Sequence, residues 1–304
     1  PDTPLFRREA GRLLATVARM VGVDNLALAE DVVQDTLCTA FEVWRLRGVP
    51  DHASAWLMTA AKNRAISVLR RERTARRLAP ELARSIEEHR TPAPLLDDLL
   101  QPGLEDDELR MIFSCCHPRL HEDVQVALVL QLLCGFSLGE VASAFLVTNA
   151  AMEKRLSRGK KVLARSRRLF ELTAADFGAR LSAVHRALYL LFNEGYHGAC
   201  PDKVVRTDLC REAMRLVRLL VAHPPTATPV THALAALMHL GAARLPARLD
   251  QAGNLTVLFA QDRTRWDGTL IAVGLELLEG SARGNEVTEY HLEAGIAAIH
   301  AAAG

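Results

Sequence analysis

The sequence predicts an all-α chain: two small helical domains, the second built on a helix-turn-helix, followed by a helical extension. Three observations carry this. Aromatic content is only 5%, Ala, Leu and Arg are abundant, and runs of β-branched residues are few, a composition that favours helices over sheet. Apolar residues recur at three- and four-residue spacing in segment after segment, which is helical periodicity. Two of these segments are densely basic, and an acidic, Pro-containing stretch lies between them. With 304 residues, two or three domains are expected, each with ample surface to bury. The formal net charge is only +1, so the distribution of charge is more informative than its sum.

Residues 1–77 read as a first helical domain. Its opening helix, over 7–21, packs through Leu13, Leu14, Val17 and Val21. A break at Asp24-Asn25 precedes a second helix whose inward stripe is Val33, Leu37, Phe41 and Trp44. Glu30, Asp31, Gln34 and Asp35 lie outward near its start, where acids favour the helix dipole. Gly48 and Pro50 make a turn, and Asp51 is placed to cap the helix that follows. That third helix carries Leu57, Ala61, Ala65 and Val68 on one face. Lys62, Arg64, Arg70, Arg71, Arg73, Arg76 and Arg77 crowd the rest, against the single acid Glu72. Trp56 lies beside the apolar stripe and is expected in the core.

Residues 78–108 form a linker: nine acids and two bases fall between Leu78 and Leu109, with prolines at 80, 92, 94 and 102. Residues 109–170 form the second domain, which begins with Leu109, Ile112, Phe113 and Cys116 and has a central apolar helix over 124–133. Ser137 caps a helix with Leu138, Val141, Ala142 and Phe145 at helical spacing. Leu146-Val147 makes the turn, and Thr148 or Asn149 caps a longer helix of about 20 residues, roughly 30 Å. Between Glu153 and Arg168 that helix holds eight Lys/Arg and one Glu. Such helices set their first turns on base edges in the major groove while flanking cations grip phosphates. Asn149, Ala150 and Glu153 are placed for bases, and Lys154, Arg155, Arg158, Lys160 and Lys161 for phosphates or guanines. Glu153 either accepts from a cytosine amine or pairs within the helix with Lys154 or Ser157. Gly159, at mid-helix, costs about 1 kcal/mol of propensity and is expected to permit close approach to phosphate.

Residues 171–304 read as five further helices, over 175–193, 203–223, 230–245, 266–278 and 287–303. Leu209, Ala213, Leu216 and Leu220 share one face, with Arg211, Arg215 and Arg218 on another. Charge is nearly balanced, so DNA binding is not implied there. Two polar clusters, Asn193-Glu194-Gly195-Tyr196 and 262–267 (DRTRWD), are placed either to hold a ligand or partner peptide or to join helices through salt bridges. The six cysteines show no C-x-x-C spacing; Cys115-Cys116-His117 is a poor tetrahedral site, and reduced thiols in a cytoplasmic chain are expected. No Gly-rich phosphate loop, G-x-S-x-G elbow, H-E-x-x-H or nucleophile–base pair is present, so neither catalysis nor a cofactor is expected. No 18-residue apolar run or signal peptide is found, which argues against a membrane.

Three segments together resemble the extracytoplasmic-function (ECF) group of sigma factors, in the bacterial sigma-70 superfamily. Residues 29–44 (AEDVVQDTLCTAFEVW) resemble the helix that docks on the clamp of RNA polymerase. Residues 55–72 (AWLMTAAKNRAISVLRRE) resemble the reader of the −10 promoter element, and 138–161 (LGEVASAFLVTNAAMEKRLSRGKK) the −35 reader. The resemblance implies core RNA polymerase, through its β′ clamp and β flap, and promoter DNA as partners. It places Asp31, Gln34 and Asp35 at polymerase. It places Lys62, Asn63, Arg64, Arg70, Arg71 and Arg73 at the −10 element, where no aromatic lies between 62 and 77 for stacking and Asn63, whose amide can donate and accept, is the best base contact. It gives the linker acids a nucleic-acid-mimicking role in polymerase channels.

The extension resembles that of one ECF subgroup, which continues into tetratricopeptide-like hairpins, although no clear 34-residue repeat is visible. It is expected to regulate by covering a functional surface or binding a regulatory protein or ligand. Residues are expected to be missing before Pro1, which is not Met, and part of a repeat region after Gly304. The rival reading is a helix-turn-helix repressor with a ligand-sensing C-terminal domain, which leaves 29–44 and the second basic helix without a purpose.

Overall fold

A computed structural model describes residues 3–22, 25–78, 104–165, 174–197, 205–250 and 253–303. Twelve α-helices account for most of them: α1 (Thr3–Val21), α2 (Leu26–Arg47), α3 (Ala53–Leu78), α4 (Leu104–Cys115), α5 (Glu122–Leu132) and α6 (Leu138–Ala144), then α7 (Asn149–Ala164), α8 (Ala174–His197), α9 (Thr207–Ala222), α10 (Pro229–Ala242), α11 (Gly268–Ser281) and α12 (Glu289–Ala302). The only extended pairing among them is a single bridge between Leu249 and Leu255. No described helix is long and apolar enough to cross a membrane. The chain forms two compact units: residues 1–141 with 149–172, and 142–148 with 173–304.

In the first unit α1 is the central element, packed against α2, α3 and α4. Leu13, Ala15, Val17 and Ala18 are fully buried, because α1 is covered on more than one side. An aromatic stack closes one end: Phe6 lies 5.4 Å from Trp44, and Trp56 meets Trp44 edge-on at 5.5 Å. Glu9 is 1% exposed and accepts from Ser54 Oγ at 3.0 Å; Arg8 and Arg12 flank it. On α2 the inward face is Ala29, Val32, Val33, Thr36, Ala40 and Trp44. Phe41, expected inside, is 47% exposed, and Leu37 is half-buried. A 3.6-residue period through Trp44 runs through Ala40 as readily as through Phe41, and the small residues win because α1 approaches closely there.

The second half of this unit is α4, α5 and α7, with α5 packed on both others. His121 caps α5, accepting from Asp123 N at 3.4 Å. Ser137 and Glu140 form a reciprocal capping box on α6: Glu140 N donates to Ser137 Oγ at 3.2 Å, and Ser137 N to Glu140 Oε2 at 2.9 Å. Leu146, in the turn before α7, takes φ 52°, the left-handed region.

The second unit is organised around α10, which contacts α8, α9, α11 and α12. Its sequence, PVTHALAALMHLGA, is apolar nearly all round, the pattern of a helix covered on every side. Thr228 caps it, accepting from Thr231 N at 3.2 Å, with proline in its first turn. Gly274 lets α11 lie close, since a Cβ there would meet Leu240 Cγ at 2.7 Å. The expected apolar face of α9 (Leu209, Ala213, Leu216 and Leu220) is buried.

Candidate nucleic-acid interface

Each basic helix is anchored by one buried face and carries its described cations outside that face. Leu57, Ala61 and Ala65 of α3 are fully buried, Val68 half-buried. Asn63, Arg64, Arg70 and Arg71 are exposed, and Lys62 is half-buried. The side chains of Arg73, Arg76 and Arg77 lie outside the described residues, as do residues 79–103 and most of the acidic linker. On α7, Met152, Leu156, Gly159 and Leu163 are buried. Asn149, Ala150, Glu153, Lys154, Arg158 and Lys161 are exposed, with Arg155 and Lys160 half-buried. Thus the described cations of both helices are exposed or half-buried, and on α7 they are interrupted by Glu153, which forms no ion pair with Lys154.

Gly159 has a different role from the expected one. A Cβ there would meet Val124 Cγ1 at 2.8 Å and Leu128 Cδ1 at 3.0 Å. It faces α5 inside the domain, so the absent side chain serves helix packing and not approach to phosphate.

The acids of α2 lie between the two basic helices. Asp31, Gln34 and Asp35 are all exposed. Asp35 Oδ2 accepts from Arg64 Nη2 of α3 at 2.9 Å, and Glu30 Oε1 accepts from Lys160 Nζ of α7 at 2.6 Å. One acidic helix therefore holds a cation from each basic helix. A groove of about 510 Å³, lined by Leu26, Ala27 and Glu30 of α2 and by Glu153, Ser157 and Lys161 of α7, runs beside the second pair. A wider groove, about 810 Å³, is lined by Phe6, Leu37, Phe41, Gln131 and Phe136 among others.

Three further contacts join α1 to the second half of the unit. Arg7 Nη2 pairs with Glu140 Oε1 at 2.9 Å, and Arg19 Nε with Asp107 Oδ1 at 2.8 Å. Gly11 lies against the backbone of Leu133, where a Cβ would come within 2.0 Å of the carbonyl oxygen. Asp107 and Glu108, expected as linker acids, sit inside α4 at 3% and 1% exposure. Sequence reasoning missed all three of these contacts within the first unit, because each joins residues at least 88 positions apart with no periodic signal. The run LEDDELRMIF was the one legible hint, since its apolar spacing continues back through the acids to Leu104.

The Cys115 and Cys116 side chains are buried, and burial pushes the Cys115 thiol up to about 12, with the positive charge of Lys160 acting weakly the other way. Among the described residues no cluster of three His, Cys, Asp or Glu could hold a metal ion. Cys200 lies outside the described residues.

Two basic helices, the second in a helix-turn-helix, each tied by one cation to the same acidic helix, fit one class: a transcription initiation factor with a DNA-binding helix-turn-helix. The comparisons agree. Residues 5–75 match the family described as Sigma-70 region 2, residues 110–163 match Sigma-70, region 4, and residues 180–282 match a family of unknown function, DUF6596. The RNA polymerase sigma factor CarQ of Myxococcus xanthus is 34% identical over 162 residues, covering 52% of this chain and 84% of its own. An uncharacterized protein of Rhizobium meliloti (strain 1021) is 38% identical over 280 residues, covering 92% of this chain. The chain spans 66% of the length of that relative. No solved structure matches. The chain belongs to the sigma-70 family of RNA polymerase sigma factors, as an ECF-type member with a helical extension; the family initiates transcription and is not enzymatic.

Proposed function

We propose that the chain recruits core RNA polymerase, in the cytoplasm, to a particular class of promoter. In this reading Asp31, Gln34 and Asp35 of α2 meet the β′ clamp, and region 4 meets the β flap. Lys62, Asn63, Arg64, Arg70, Arg71 and Arg73 hold the −10 strand. Asn149, Ala150 and Glu153 face −35 bases, with Lys154, Arg155, Arg158, Lys160 and Lys161 on guanines or phosphates. The extension regulates. The observation that carries the reading is the pairing of two basic helices with one acidic helix in a single chain; a simple repressor needs one recognition helix per protomer.

The described packing is the form off the promoter. Elements named 25 base pairs apart lie about 85 Å apart along B-form duplex at 3.4 Å per pair. Lys160 of α7 pairs directly with Glu30 of α2, so both readers cannot engage their elements until the halves separate.

The test is co-elution of the full chain with core bacterial RNA polymerase at fixed ionic strength. A complex is expected, weakened at least tenfold by Asp31→Lys. Asp31 is the cleaner position, because Asp35→Lys also breaks the pair with Arg64. Absence of any complex would overturn the reading and leave the ligand-sensing repressor.

A further inference from the structure

The two polar clusters singled out in the extension, 66 positions apart, come together in the fold. The first closes α8 with Tyr196 and His197. The second leads into α11 through Arg263 and Trp266. Arg244 and Arg248, which follow α10, join them. Arg248 lies 3.8 Å above the Tyr196 ring, donates from Nε to the Tyr196 carbonyl at 2.9 Å, and reaches His197 Nδ1 at 3.2 Å. Arg244 and Arg263 stand 5.6 and 5.1 Å from the Trp266 ring, and Arg244 Nε donates to Gln261 Oε1 at 3.3 Å.

Salt bridges between helices would explain such a cluster only if acids were present. Among the described residues none of these three arginines has a carboxylate within ion-pair distance. Three nearby acids are engaged locally, two in turns and Asp267 as the cap of α11. Asp262 accepts from Thr264 N at 3.0 Å, Asp267 from Leu270 N at 3.0 Å, and Asp250 from Asn254 N at 2.8 Å. Burial lowers the pKa of Arg244 from the ordinary value; Tyr196 acts the other way, and Arg248 lowers it further. An unpaired, partly buried cation cluster is costly to maintain unless it serves an anion.

The floor of the cluster is also rich in donors without acceptors. Tyr196 Oη, Trp266 Nε1 and Arg263 Nη1 are buried and make no hydrogen bond. Tyr196, Arg248 and Trp266 are 7%, 8% and 9% exposed, whereas Arg244 and Arg263 are half-buried and His197 is exposed. Indole and guanidinium groups only donate, so what they lack is an acceptor. Arg forks match the paired oxygens of carboxylate and phosphate, and their stacking on Tyr196 and Trp266 fixes the planes of the forks in advance.

We infer that Arg244, Arg248 and Arg263, set over Tyr196 and Trp266, form a binding site for a compact oxyanion, the phosphate or carboxylate of a small molecule. The rim of Arg244, Arg263 and His197 admits the anion, and Arg248 on the Tyr196 ring forms the rigid back of the site. This inference is independent of the polymerase reading: it needs only the extension to be folded.

Calorimetric titration of the full chain with inorganic phosphate, and separately with succinate, tests it, with chloride as the ionic-strength control. Saturable binding of at least one anion with Kd below about 1 mM is expected, and the stronger of the two distinguishes phosphate from carboxylate. Arg244→Gln with Arg263→Gln should weaken it at least tenfold, and Arg211→Gln, exposed on α9, should leave it unchanged. Helix content by circular dichroism checks folding. Should the double variant fail to fold, Arg244→Lys, which keeps the charge and loses the fork, should still weaken binding several-fold. Absence of binding to both anions, or equal binding by the Arg244 variants, would overturn the site, as would an equal loss in Arg211→Gln.

Discussion

The two units are held together by different forces. In the first, where α1 and α2 meet α4 to α7, the apolar packing of α1 on α4 is supplemented by ion pairs (Arg7–Glu140, Arg19–Asp107 and Lys160–Glu30) and the close approach at Gly11. In the second, α10 is enclosed by apolar side chains, and its polar groups are buried histidines and threonines such as His239 and Thr231. Partly exposed ion pairs are each worth about 0–1 kcal/mol and weaken with salt. Buried apolar area, at roughly 25 cal/mol per Å², does not. Salt and charge substitution are therefore expected to act on the seam inside the first unit and to leave the core of the second unit alone.

The largest expected effect breaks that seam from the apolar side. Gly11→Ala would place a Cβ 2.0 Å from the Leu133 carbonyl oxygen and 2.8 Å from its Cα. Backbone cannot give way as a side-chain tip can, so α1 must move off α5. Overpacking of this kind costs ~3 kcal/mol or more. Fluorescence energy transfer between labels on α2 and α7 should show the halves further apart. An unchanged distance and unchanged urea midpoint would mean that Gly11 does not hold the seam.

A second expectation concerns the closed unit. His185 is 3% exposed, bonded to Thr231 Oγ1 at 2.8 Å and edge-on to Tyr290, and burial holds its pKa down to about 4. The unfolded chain takes up this proton near 6.5, so between pH 6.5 and 4 it binds more protons than the folded one. Stability is then full above 6.5 and falls on acidification, by about 3 kcal/mol near pH 4. His239, also lowered by burial, acts with the same sign. Hydrogen exchange on α8 and α10 should quicken as the pH falls, after correction for intrinsic rates, and His185→Gln should flatten much of that slope. A flat profile in the native chain would show that the imidazole escapes its buried setting.

The same contrast explains what could be read from sequence. Helix positions in the extension were legible because α9 and α10 obey one rule, apolar faces at helical spacing. The basic faces of α3 and α7 were legible for the same reason. The seam was not. Glu30, Arg7 and Asp107 carry no local sign of a distant partner, and acids near a helix start have a sufficient local explanation in the dipole. Phe41 was misplaced because periodicity gives a face but not how closely a neighbour packs against it. Gly159 was misread because its neighbour Val124 lies 35 positions away. The polar clusters of the extension were visible as composition, but nothing in the sequence showed that Arg244 and Arg248 would join them.

The smallest expected effect is the most informative about function. Lys160 is at once the cation tied to Glu30 and an expected phosphate contact, so removing it would confound opening with DNA binding. Glu30→Gln breaks the same pair from the side that does not touch duplex. With side chains 25% and 31% exposed, the loss in stability should stay under about 1 kcal/mol. One kcal/mol still shifts an open–closed balance about fivefold. Glu30→Gln should therefore raise binding of the free chain to −35 duplex several-fold in low salt, with the advantage shrinking as salt screens the native pair. Equal binding by both proteins at every salt concentration would show that Lys160 is already available, and that the seam is held by Gly11 and Arg19 instead.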